Sequence, residues 1–203
     1  EGTPSFREGK VARTGEWLAH CQACAAPEIA CVFNRAGIPY HLVTGTLDDE
    51  EAWAEIHDWV AAARVRAAMR ANRVGVLGHY YCGMLDVYSD MTQQAAVLGC
   101  HFDLLEMCEL RRYRDETTDA QVTHKLEQFR EEFDVSPECS EKELVRAART
   151  SCALDRLAEA HRLGSLAYYY GGQPGNEYED IVTSVIAGNS LLTVHGVPVA
   201  GEC

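Results

Sequence analysis

From residue 72 onward, short apolar runs alternate with longer stretches of helical period, and this alternation limits what the chain can fold into. RVGVLG (73–78), FDLLEM (102–107), SLAYYY (165–170) and PVAGE (198–202) read as strands. MTQQAAVLG (91–99) reads as a short helix closed by Gly99. Val122, Leu126, Phe129 and Phe133 share one face of a second helix. The stretch 140–164 reads as a long helix, with Ser140 and Glu143 as a capping box and Gly164 as its stop. Ile181, Val182, Val185, Ile186 and Asn189 suggest one more. Strands separated by helices cannot close as hairpins, so each connection is a crossover between parallel strands. The expected class is α/β: a three-layer sandwich with a mostly parallel sheet, Rossmann- or flavodoxin-like.

The first 71 residues read differently. APEIACVFNRAG (26–37) is a helix with Pro27 in its first turn and Gly37 at its end. YHLVTGTL (40–47) is a β-branched run that reads as a strand. Residues 48–70 open with acids and repeat Trp53, Ile56, Val60 and Ala63 at helical spacing. One strand is too little for an independent core. Residues 1–71 are therefore expected to be the C-terminal part of a preceding α/β domain, and 72–203 a central α/β domain. The whole stretch reads as the middle of a longer enzyme.

Composition narrows the function classes. The formal net charge of −13 repels phosphate backbones, which argues against nucleic acid as a partner. No apolar run approaches the roughly 18 residues of a membrane helix. The nine cysteines are odd in number and sit mostly in apolar segments, which fits thiols in a reducing, cytoplasmic setting. Cys21 and Cys24 form CQAC, but no second pair follows at zinc spacing, and a redox motif should open a helix, whereas here the helix is expected to start after the pair, near Pro27 three residues on.

Three strand ends converge on one sheet edge: GHYYCGM, YYYGGQPGNE and GEC. In open α/β sheets the carboxyl edge is where ligands bind. Gly75, Gly78 and Gly83 do not make a dinucleotide fingerprint, and no Walker lysine follows. Tyrosines, amides and an acid suit a polyhydroxylated ligand better, through hydrogen bonds and flat apolar faces. Of Tyr168, Tyr169 and Tyr170, alternate residues are expected in the core. His79 could be a ligand or a hydrogen-bonded loop residue. Glu202 follows an apolar strand beside Gly201, where a carboxylate must be solvated, paired or metal-bound.

Segment order and several strings resemble the L-arabinose isomerase family: HLVTG (41–45), GMLDVYSDMTQQAAVLG (83–99), LVRAARTSCALDRL (144–157) and GVPVAGEC (196–203). The resemblance implies an enzyme that interconverts an aldose and its ketose through an enediolate, with a divalent, manganese-type cofactor. Glu202 falls on the family's metal-binding and catalytic acid, in a Gly-Glu-Cys string that departs from the family's Gly-Glu-Gly-Asp. Met84 falls on a substrate-contacting methionine, and Tyr170 near an aromatic of the sugar site. Gln22 falls on a glutamine that reaches a neighbouring subunit's site, so the resemblance also implies a homo-oligomer. The remaining metal ligands would lie beyond Cys203, so this stretch alone is expected to be inactive. The alternative is a non-enzymatic sugar-binding or sensor module on a similar scaffold.

Overall fold

A computed structural model describes residues 22–81, 83–85, 88–171 and 174–201. The chain divides into two compact units, Glu1–Val65 and Arg66–Cys203.

In the first unit, helix α1 runs Gln22–Ala36 and takes Pro27 into its interior. Pro27 has no N–H to donate, so one intrahelical bond is missing there. Gly37 then turns the chain at φ 66°. The predicted strand over 40–47 does not form, because no described segment offers it a ladder and a lone strand leaves its backbone groups unpaired. Side chains hold the segment instead. The His41 ring stacks on Trp59 at 4.3 Å, its Nε2 lies 2.6 Å from Glu55 Oε1, and the Trp53 indole donates to the Leu47 carbonyl at 2.9 Å. Helix α2 covers Glu50–Ala71. It opens with Asp49 Oδ1 accepting from the Ala52 N–H, and Glu50 and Glu51 sit at its positive end.

The second unit is built on four parallel strands: β1 (Arg73–Gly78), β2 (His101–Leu105), β3 (Ser165–Tyr169) and β4 (Val199–Gly201). Their order is β2-β1-β3-β4. The helices are α3 (Met91–Leu98), α4 (Met107–Asp115), α5 (Asp119–Glu132), α6 (Glu141–His161), α7 (Glu179–Val182) and α8 (Ile186–Val194). The fold is an α/β sandwich with an all-parallel sheet among the described residues.

Right-handed crossovers decide which face each connection covers. β1 to β2 steps one way along the sheet and carries α3. β2 to β3 and β3 to β4 step the other way and carry α4–α8 to the opposite face. The register shows the result. Leu105, Leu77 and Tyr168 align in one row, and Leu105, Leu77 and Leu166 enter a core with Leu110, Leu154, Leu157, Ile181 and Leu192. Burying each such side chain stabilises the fold by about 1.5–3 kcal/mol. The row between, Leu104, Val76, Ala167 and Ala200, points to the α3 side. There Leu104 is 71% exposed.

Two helices differ from their sequence expectation. The strand expected to reach Met107 ends at Leu105, and Met107 instead opens α4, whose Met107, Leu110 and Tyr113 are buried. The single helix expected near 181–189 is two, α7 and α8. The Ser140 box is half formed: Ser140 Oγ accepts from the Glu143 N–H, while the Glu143 carboxylate turns to Arg146. The complete box is at Thr118 and Gln121. None of the helices among the described residues is long and apolar enough to cross a membrane.

Candidate functional site

The strand order reverses at β1 and β3: from β1 the chain steps to β2, then returns past β1 to β3. The crevice outside the carboxyl ends at such a switch point is the default ligand position in open α/β sheets. A cleft of about 330 Å³ opens there. Its floor is the α3-side face of the sheet, Val74, Val76, Phe102 and Ala167. Its rim comes from the loop after β1 (His79, Tyr80, Tyr81, Ser89), from α3 (Met91, Gln94) and from the ends of β3 and β4 (Tyr168, Tyr169, Ala200, Gly201).

Glycine makes the rim possible. Gly78 has φ 88°, and a Cβ there would lie 2.1 Å from the Tyr169 carbonyl oxygen. Only a residue without a side chain lets β1 turn so close to β3. The turn brings the His79 N–H to the Tyr169 carbonyl at 3.0 Å. At Gly201, a Cβ would lie 2.2 Å from the Tyr168 ring, so the bare backbone lets that ring lie across β4.

His79 has a defined tautomer. Its Nδ1 lies 2.8 Å from the Tyr80 carbonyl oxygen, which can only accept. Nδ1 therefore carries the proton, and neutral His79 keeps the Nε2 lone pair as an acceptor. Aromatic edges fix the ring. It meets Tyr169 edge-on with centroids 5.3 Å apart, and Tyr81 meets Tyr169 edge-on at 5.0 Å.

The other side of the rim is set by a helix cap. Asp90 Oδ1 accepts from the N–H groups of Thr92 and Gln93 and from the Thr92 hydroxyl, which starts α3 at Met91. The Thr92 hydroxyl first, then the two backbone donors, holds the Asp90 carboxyl below its ordinary 3.8. One turn along α3, the Gln94 amide donates to Ser89 Oγ at 2.8 Å. The Tyr80 hydroxyl donates to the Ser89 carbonyl at 3.3 Å.

No lysine, arginine, aspartate or glutamate is among the described residues that line the cleft. It therefore offers uncharged donors and acceptors over an apolar floor. Among the described residues such a surface suits a neutral polar ligand with apolar C–H faces and offers no lysine or arginine to neutralise a phosphate.

The residues singled out in the sequence fall in different places. Glu202 lies outside the described residues; its neighbour Gly201 lines the cleft. Met84 is half-buried in the turn after Tyr81, whose carbonyl accepts from its N–H, and is not part of the lining; Met91 is. Tyr170 sits behind the rim, its ring 5.9 Å from His79 and edge-on to Tyr178 at 5.6 Å, packed against the core. Gln22 is the first residue of α1, in the other unit. Cys21 of CQAC lies outside the described residues, and Cys24 is an exposed thiol on α1. Ser89, Met91 and Gln94 line the cleft and were missed by sequence reasoning, which placed the tyrosine run at this edge without singling out Tyr169. Strand parity from buried Leu166 was the available signal for Tyr169, and the three-residue spacing of Met91 and Gln94 was the signal for α3.

No protein-family model matches the chain. Over 130 residues, 63% of this chain and 26% of the relative's length, it is 25% identical to an L-arabinose isomerase of Bifidobacterium adolescentis. The chain thus spans about a quarter of that enzyme, and its similarity to it is distant.

Proposed function

We propose that this chain supplies the sugar-binding cleft of an aldose–ketose isomerase of the L-arabinose isomerase type, as one portion of a longer enzyme. The observation that carries the reading is the chemistry of the cleft: uncharged hydroxyl, amide and imidazole groups around an apolar floor, at the sheet's switch point. The sugar's C–H face lies on Val76, Ala167 and the tyrosine rings, and its hydroxyls meet the rim. The absence of a lining cation among the described residues favours an unphosphorylated sugar. The distant similarity to an L-arabinose isomerase supports the reaction class, transfer of hydrogen between C1 and C2.

The proposal includes a divalent, manganese-type ion, with Glu202 as the carboxylate this chain contributes. The described residues do not fit such a site by themselves. A manganese-type ion takes about six oxygen or nitrogen ligands, and no group of three or more His, Cys, Asp or Glu side chains converges among the described residues. Their assigned part is to bind and orient the sugar. His79 Nε2 accepts from a hydroxyl, the tyrosine faces exclude water, and Gly78 keeps the β1 loop against β3. A cytoplasmic homo-oligomer belongs to the same proposal.

The test is to supply the complete polypeptide with L-arabinose and Mn²⁺ and measure ketose. Formation of L-ribulose that falls when Tyr169 is changed to Ala supports the proposal. Sugar binding without any ketose would favour a sugar-binding or sensor module instead.

A further inference from the structure

Ser89 and Gln94 make a ready-built polar pair at the α3 wall of the cleft. Their hydrogen bond of 2.8 Å uses one Gln94 amide hydrogen and one Ser89 lone pair. The Gln94 carbonyl oxygen is left as an acceptor and the Ser89 hydroxyl hydrogen as a donor. If the amide is turned over, the pair still presents one donor and one acceptor, with the roles exchanged. Both side chains line the cleft.

The pair is held from three directions. The Asp90 cap fixes where α3 begins, and the Gln94 N–H donates to the Asp90 carbonyl at 3.0 Å, so Gln94 sits one turn above Ser89. The Tyr80 hydroxyl holds the Ser89 carbonyl, and the Tyr80 ring meets Tyr88 edge-on at 5.6 Å. Little ordering is left for a ligand to impose, which is the condition under which weak polar contacts discriminate.

We infer that Ser89 and Gln94 act as a unit that reads two hydroxyls on adjacent carbons of the bound sugar. One hydroxyl donates to the Gln94 oxygen, and its neighbour accepts from Ser89. The oxygens of a gauche vicinal diol are about as far apart as a hydrogen-bonded pair, so one diol spans both side chains. A lone hydroxyl satisfies one of them and leaves the other facing the ligand unpaired, which is the arrangement that rejects deoxy analogues. The inference rests on the reading of the cleft as a sugar site and names which residues would set its selectivity.

The experiment is calorimetric titration of L-arabinose into the full chain and into Ser89→Ala, Gln94→Leu and the double variant, with a thermal melt of each. Each single change is expected to raise Kd about three- to tenfold, the effect of one net hydrogen bond. The double variant is expected to lose less than the product of the two single losses, because each residue depends on the other. Tm stays at the wild-type value in all three. Wild-type binding with unchanged Kd in both single variants overturns the diol assignment and leaves the sugar cleft standing. Multiplicative losses in the double variant overturn the claim that the two act as a unit. Absence of L-arabinose binding by the wild-type chain overturns both the assignment and the sugar cleft.

Discussion

The N–H of His79 donates to the carbonyl of Tyr169 at 3.0 Å, joining the exit of β1 to the last residue of β3 where the sheet reverses its order. That close approach holds the loop after β1 against the end of β3, where both contribute to the rim of the cleft.

Gly78→Ala tests the approach. Its Cβ would meet the Tyr169 oxygen at 2.1 Å, in a backbone conformation of φ 88°. Strain of that kind costs about 1–3 kcal/mol before any clash is relieved. Urea unfolding should show at least that loss, while a wild-type midpoint would mean that the turn is looser than described.

Leu154→Ala separates core stability from the site. Leu154 is buried under the opposite face of the sheet, against Gly188, whose added Cβ would lie 2.8 Å from its Cδ1. Removing it should cost about 2–5 kcal/mol, read by denaturant unfolding. Sugar affinity measured well below the melting transition should stay unchanged.

The Lys125 ammonium is buried on α5 and lies 2.6 Å from Asp155 Oδ2 on α6 and 2.6 Å from Gln128 Oε1. Removing one partner of such a pair hurts more than replacing the pair's cost with packing. Asp155→Ala should destabilise by about 1–3 kcal/mol, tempered because the carboxylate is partly exposed. Lys125→Met leaves Asp155 unpaired but partly open to water, so its loss should be smaller than that of Asp155→Ala, which strands a buried ammonium. Equal losses in both variants would contradict this reading.

Asp90 gives a pH prediction with a definite sign. Its carboxyl is held below 3.8 in the folded state. The cap's contribution is therefore fully present above the ordinary carboxylate range and is lost as pH falls through the lower folded-state value. The carboxyl carbon resonance of Asp90 should titrate below 3.8, and Thr92→Val should move the midpoint upward, since the Thr92 hydroxyl is the largest cause. An unmoved midpoint would remove Thr92 from that role.

The strands were legible because each is a short apolar run bounded by glycine or polar residues, and β1 (Arg73–Gly78) has the bounds its sequence suggests. Helix α4 was not, because only one acid, Glu106, separates Met107 from the apolar residues of β2, and the charged residues between Leu110 and Tyr113 hide the period. The segment 40–47 was misread because β-branched composition records fit to a sheet, not the presence of a neighbouring strand. At the site, His79 and the tyrosine strand were visible, since glycine after a strand marks its carboxyl end. Ser89 and Gln94 were not, because their meeting depends on where Asp90 starts the helix, a three-dimensional fact that no single position records.

Saturation-transfer NMR of L-arabinose with the full chain, compared with the Tyr169→Ala variant, decides whether the cleft holds the sugar. Transfer from protein to the sugar's C–H protons is expected at about millimolar sugar, sharply reduced in Tyr169→Ala at unchanged fold. No transfer to the sugar from the wild-type chain, or transfer that the variant leaves intact, would contradict this placement of the sugar.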